Sequence, residues 1–313
     1  MRRNDSIRCR TRALAIASLV AGAAAFLAGC SQTEIPAHLR PLSKDTMMLL
    51  GKKGVEVSSP IFVRIFKEES ELEVWKQRAD GRFYHVKSYP ICNWSGDLGP
   101  KVRQGDKQAP EGFYAVPRQQ MNPNSQFHLA FNLGYPNAYD KAHGRTGDFL
   151  MVHGKCRSAG CYAMTDALIE EIYALARESF IGGQEAIPVH AFPFRMTEAN
   201  MARHVKSEHF GFWKTLKEGY DFFETTRTVP TVAVCQRQYV VNVKLPANVS
   251  KIDPVSACPK FERPVVEAFK PNPNEKFVEE RVAVPGPKTR TAANQSLVPD
   301  PSWSTRMGLT SGQ

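Results

Sequence analysis

A histidine and a cysteine stand eight residues apart near the middle of the chain, in His153-Gly154 and Ser158-Ala159-Gly160-Cys161, and both residue types make and break acyl bonds. A thiol attacks a carbonyl as thiolate, so its natural partners are an imidazole that takes the proton and a helix N-terminus that favours the anion. His153 is the candidate base and Cys161 the candidate nucleophile. Gly160 lets a substrate approach the backbone beside the sulfur, and the N–H groups around Gly160 and Cys161 are candidate oxyanion donors, with Gly154 counted in the same oxyanion and catalytic-loop set. These parts can run acyl transfer through a thioester, with a low-pKa thiol that iodoacetamide labels at neutral pH. By spacing alone the pair also fits a structural cysteine or half of a disulfide.

Cysteine arithmetic bears on that choice. Seven cysteines are present; Cys9 lies in a leader and Cys30 closes it, which leaves Cys92, Cys156, Cys161, Cys235 and Cys258. An odd number in an oxidising compartment leaves a free thiol or an intermolecular link, although the count does not say which residue is free. Pairing Cys235 with Cys258 and Cys92 with Cys156 would leave Cys161.

The elements that must position the pair read as an α+β fold. Phe149 to Val152 is a short apolar run that ends on His153, and the apolar stripe from Thr165 to Phe180 predicts an amphipathic helix with Thr165 as N-cap and Gly182-Gly183 as stop. Loop, thiol and helix start therefore adjoin. Upstream, Ile61–Phe66, Leu72–Lys76 and Arg82–Tyr89 predict an antiparallel meander, Ser95 to Pro110 a Gly- and Pro-rich loop, and Gly112–Val116 a short strand. Downstream, Ile187–Phe192 reads as a buried strand and Glu198–Glu218 as a helical stretch.

The leader carries Arg2, Arg3, Arg8, Arg10 and Arg12 before an apolar run from Ala13 to Leu27, closed by Ala28-Gly29-Cys30. This is an export signal, shorter than the roughly 20 residues of a spanning helix. Leu27-Ala28-Gly29-Cys30 resembles a bacterial lipobox, which implies cleavage before Cys30, lipidation of its thiol and a membrane anchor in the periplasm, at the outer membrane. Loss of residues 1–29 removes five positive charges and one negative, lowering the formal net charge from +10 to +6. No Lys/Arg run suggests nucleic acid. The expected organisation is a signal peptide (1–29), a tether (30–45), a catalytic domain (46–197), a helical and short-strand extension (198–264) and a Pro-rich, disordered tail (265–313).

Several separate segments resemble the YkuD-type L,D-transpeptidase catalytic domain, in its YafK-like branch. They are Leu98-Gly99-Pro100-Lys101, the run from Gly105 to Tyr114, Asn132 to Gly144, Met151 to Gly154, Ser158 to Asp166 and Pro193 to Thr197, within a match over roughly residues 61–225. The resemblance implies a mainly β, mixed-sheet domain in which His153 is the base, Ser158 and Gly160 shape the catalytic loop, and Cys161 attacks the amide between diaminopimelate and D-alanine of a peptidoglycan stem peptide. An amine then gives a cross-link or a protein attachment, and water gives cleavage, including release of a wall-linked outer-membrane lipoprotein. Cys156 also fits the branch. Against the wider Ser-His-Gly-Cys-x-Arg pattern, Ala159 replaces the second histidine and Ala163 the arginine; a backbone group can orient His153 instead. The rival from another class is a catalytically silent lipoprotein that tethers the wall through the same groove.

Other polar residues read more plainly. His128 and His143 bracket the Asn132–Gly144 loop but are more often structural, Lys101 and Arg145 read as solvated charges, and Trp94 and Tyr135 fit either a substrate groove or the core. No Cys or His spacing matches a zinc site, and no cofactor is implied.

Overall fold

The structure, a computed structural model, describes residues 34–245, 249, 252–272 and 279–283. The leader, Cys30 and the end of the tail lie outside the described residues. The compact unit begins at Ala37.

One five-stranded sheet has the order β3-β2-β1-β10-β5, formed by β1 (Ile61–Phe66), β2 (Glu71–Gln77), β3 (Phe83–Pro90), β5 (Gly112–Pro117) and β10 (Ala186–Phe192). The first three form the expected meander, and β1 runs parallel to β10. A second sheet, order β4-β9-β8-β7-β6, is made of short strands: β4 (Asn93–Trp94), β6 (Met121–Asn122), β7 (Ala130–Asn132), β8 (Met151–His153) and β9 (Tyr162–Ala163). A hairpin of β11 (Val232–Cys235) and β12 (Gln238–Val241) stands apart from both. Mixed sheets with few helices make this the α+β architecture expected from the sequence.

Strand β1 is buried along its whole length, and its two faces serve different layers. Ile61, Val63 and Ile65 join the main core with Val152 and Tyr162 of the second sheet and with Ile169, Ile172 and Leu175 of α3 (Asp166–Ile181). Phe62 and Phe66 point the other way, towards Phe223 and Trp213 of α5 (Phe210–Thr226). This is the period-2 alternation of a strand sandwiched between helices. Arg64 shares the second face at 2% exposure; Glu73 and Glu224 pair with it at 2.8 and 2.6 Å, and the rings of Trp75 and Phe223 flank its guanidinium. A charge so deep is tolerated only when paired in this way.

Three stretches differ from the sequence expectation. The tether of 30–45 reaches into the fold: Arg177 donates to the carbonyls of His38 and Arg40, Arg40 pairs with Glu170, and α1 (Lys44–Lys52), capped by Ser43, sends the Thr46 hydroxyl to Glu171. Polar residues that look like linker in sequence are thus partners of the polar edge of α3. The single helix expected over 198–218 is two, α4 (Glu198–Arg203) and α5, because the chain turns at His204–His209. Beyond 265, where disorder was expected, the described residues make specific contacts. Phe269 packs edge-on against Tyr84, and Glu280 to Val282 bond Ser88 on the outer edge of β3, with Arg281 paired to Glu71. An exposed strand edge gains from such a cover.

Among the described residues no helix is long and apolar enough to cross a membrane.

Candidate active site

His153 ends β8, and Cys161 stands immediately before β9, its parallel neighbour; Val152 pairs with Tyr162 and His153 with Ala163. Val152 and Tyr162 both face the main core. By strand alternation His153 and Cys161 lie on the opposite face, on adjacent strands, with the cysteine level with Met151. The Met151 N–H donates to Cys161 Sγ at 3.4 Å, and the thiol donates to the Phe149 carbonyl at 3.6 Å.

The imidazole of His153 is buried, with Nδ1 2.7 Å from the Gly154 carbonyl and Phe127 packed on its ring. A carbonyl only accepts, so Nδ1 carries the proton and Nε2 keeps a free lone pair. Burial pushes the His153 pKa below its ordinary value, which keeps the ring neutral, while the Gly154 carbonyl acts in the opposite sense. The backbone group that the sequence reading asked for in place of the second histidine is the carbonyl of Gly154.

Cys161 is the free thiol among the described cysteines, because Cys92 bonds Cys156 and Cys235 bonds Cys258. The first disulfide ties the β4 end to the loop after His153, where Lys155 and Cys156 both have positive φ. The thiol itself differs from expectation. Burial pushes its pKa up to about 11, and the Met151 N–H and the charge of Lys101 pull it down only in part. The helix start, expected to favour the thiolate, is separated from the sulfur by β9 and Met164. It is capped by Thr165, and Asp166 in its first turn accepts the Lys155 N–H. A pKa raised in this direction favours Cys161 resting as a thiol over half of an ion pair.

The loop residues divide their tasks. Ser158 Oγ donates to the Cys161 carbonyl at 2.7 Å, accepts from Gly160 N–H at 3.3 Å and lies 3.3 Å from Ser95 Oγ, which in turn donates to Lys107. Ser158 therefore clamps the Cys161 peptide. Gly160 has φ +122, a conformation open chiefly to glycine, and a Cβ there would touch Leu150. Gly154 departs from its expected role: its N–H is spent on the carbonyls of Phe127 and Leu129, and a Cβ would come within 2.6 Å of Asp166 Oδ1. Gly154 orients the His153 ring through its carbonyl, and its N–H is already engaged.

The 95–111 loop over the site hangs on a buried ion pair that the sequence reading did not single out. Lys67 Nζ bonds Glu111 at 2.9 Å and the carbonyls of Gly99 and Ala109, while Glu111 accepts from Gly99 N–H and Trp213 Nε1. Both side chains are 0% exposed. Nothing in spacing marks this pair, since its partners come from four distant segments.

Lys101 and Arg145, read as solvated charges, are buried in pairs with Asp106 and Asp140. Trp94 and Tyr135 are core: the indole donates to Ser70, and the phenol to the Lys101 carbonyl. His128 meets Glu170, and His143, at the end of α2 (Ala138–Ala142), stacks on Tyr139. Among the described residues no group of His, Cys, Asp and Glu could hold a metal ion.

Next to Phe149 and Met151, whose backbones contact Cys161 Sγ, opens a groove of about 220 Å³ lined by those two residues with Phe127, Ser125, Asn122, Asn124 and Gln126. None of its lining residues is charged. The arrangement can bind a neutral group next to a base-assisted thiol.

No family model matches the chain. It is 47% identical over 205 residues to an Escherichia coli K12 protein named "Putative L,D-transpeptidase YafK", spanning 66% of this chain and 80% of that one; the protein of the same name in Escherichia coli O157:H7 matches equally. Among solved structures, the helical cell shape determining protein Pgp2 of Campylobacter jejuni is 17% identical with a TM-score of 0.35, covering 63% of this chain and 80% of that one. Bd1075 of Bdellovibrio bacteriovorus is 18% identical with a TM-score of 0.32, covering 64% and 82%.

Proposed function

This chain belongs to the L,D-transpeptidase family, in its YafK-like branch, and from that premise we propose that it is a cysteine-dependent enzyme of peptidoglycan stem peptides. The observation that carries the reading is the free thiol of Cys161 beside a histidine whose tautomer is fixed for service as a base.

In the reaction we propose, His153 Nε2 takes the proton from Cys161 as the sulfur attacks the diaminopimelate carbonyl. The carbon–nitrogen bond to D-alanine breaks, and His153 returns the proton to the leaving amine. The acyl-thioester is then taken by an acceptor amine, which loses its proton to His153, and the thiol is regenerated. Because the thiol is not ionised at rest, proton removal belongs to the attack itself. A neutral histidine suits that step better than an imidazolium would.

One observation favours water as the acceptor. Ala163, at the position of the family's usual arginine, is buried and offers no side-chain donor to an anionic acceptor strand. In that reading D-alanine, or a wall-linked lipoprotein whose amine occupies the same diaminopimelate carbonyl, leaves as the thioester forms, and water then breaks the thioester to free the diaminopimelate carboxylate and the thiol. The export signal and lipobox-like Leu27–Cys30 support a periplasmic setting with a lipid anchor.

The test is intact-protein mass spectrometry after mixing with a disaccharide-tetrapeptide. The expected result is an acyl adduct, short by one D-alanine and labile to hydroxylamine, that is absent in Cys161→Ala and strongly reduced in His153→Ala. An adduct that persists in Cys161→Ala, or none in the wild-type protein, would overturn the reading.

A further inference from the structure

We propose that the uncharged groove beside Cys161 is a saccharide subsite, with Phe149 as its stacking platform, and that it seats the N-acetylated sugar carrying the stem peptide. This rests on the reading of Cys161 as acceptor of a wall-peptide acyl group.

Phe149 has φ +53, in the left-handed region that is costly for a bulky side chain. The twist has a local purpose: it turns the Phe149 carbonyl onto the thiol while Leu150, at 4% exposure, is buried against the Gly160 turn. Glycine would adopt it with least strain. A phenylalanine stands there instead, 44% exposed as a residue, and it joins none of the hydrophobic core clusters. A strained, outward aromatic one hydrogen bond from a nucleophile is a residue whose ring serves a ligand.

The rest of the lining says which ligand. The stem peptide bears carboxylates on its glutamate and diaminopimelate, whereas this groove has no charged residue and offers amides and aromatic faces. Amides exchange hydrogen bonds with hydroxyl and acetamido groups, and rings cover the apolar face of a sugar.

The experiment is calorimetric titration of full-length Cys161→Ala with the disaccharide-tetrapeptide and with the same tetrapeptide lacking its sugars. The disaccharide ligand is expected to bind about five-fold more tightly, as one aromatic face contributes. Adding Phe149→Gly should erase that ratio with no fall in thermal midpoint, Phe149→Tyr should keep it, and Asn124→Ala should lower it. Equal binding of the two ligands, no binding of the disaccharide ligand, or a ratio untouched by Phe149→Gly would overturn the proposal. The acyl-adduct assay on the wild-type protein reads the underlying function separately, since an adduct can form with no sugar dependence at all.

Discussion

At the scale of single residues the site is a neutral pair. With the Cys161 pKa near 11, alkylation of the free enzyme by iodoacetamide should climb about ten-fold per pH unit from pH 7 to 10, following the thiolate fraction. A plateau already at pH 7 would contradict a thiol raised by burial. The His153 pKa lies below its ordinary value, so the base stays unprotonated further into acid. The acid limb of kcat/KM is therefore expected below about pH 6.5, the unperturbed histidine value, and a limb above it would count against His153 as the base. Residue types and spacing offered both groups only as candidates, and the resemblance to the L,D-transpeptidase domain selected them, while one pairing of the other cysteines left Cys161 over. Protonation was not legible, because it depends on how deeply β8 and β9 bury the two side chains. Phe149 escaped for a similar reason: its left-handed backbone is invisible in a run that reads simply as apolar.

At the scale of elements, the site depends on the loop between β8 and β9 keeping one shape. Gly154→Ala would drive a methyl into Asp166 and the Phe127 carbonyl. It should cost about 1–3 kcal/mol in urea unfolding, as overpacking does, and lower kcat by shifting the carbonyl that holds His153. Unchanged stability and rate would show that the loop can yield there. The Cys92–Cys156 bridge closes a separation of 64 residues, and its removal in Cys92→Ala/Cys156→Ala should cost about 2–5 kcal/mol with Cys161 still free by thiol titration. The long, strongly periodic elements, β1 to β3, β5, β10 and α3, were readable within a residue or two because each carries a full period. The two- and three-residue strands that hold the site were not. β4, β6 and β9 are too short to show alternation, and pairing with neighbours defines them more than their own side chains do.

At the scale of the whole molecule, the fold buries charge and imidazole well away from the chemistry. Burial pushes the pKa of His85 down to about 4 and that of His190 to about 3. Between about pH 6.5 and those values the unfolded chain binds protons that the native state refuses. Each histidine then removes about 1.4 kcal/mol of stability per pH unit as pH falls. Urea midpoints should drop steeply from pH 7 to pH 5, and His190→Phe should flatten that slope; an unaltered slope would refute the assignment. The sequence suggested an N-terminal tether and a free tail because polar and Pro-rich composition resembles linker. Residues 37–52 and 279–283 instead contribute partners to α3 and β3, and only the folded surface reveals those vacancies. All of these layers converge on one claim, that Cys161 performs acyl transfer on the wall. The most direct measurement is mass spectrometry of muropeptides from intact sacculi incubated with the wild-type protein and with Cys161→Ala. The wild-type protein is expected to remove D-alanine or a linked lipoprotein, or to form new cross-links at diaminopimelate, and Cys161→Ala to do none of these. Identical muropeptide profiles from the two proteins would contradict it.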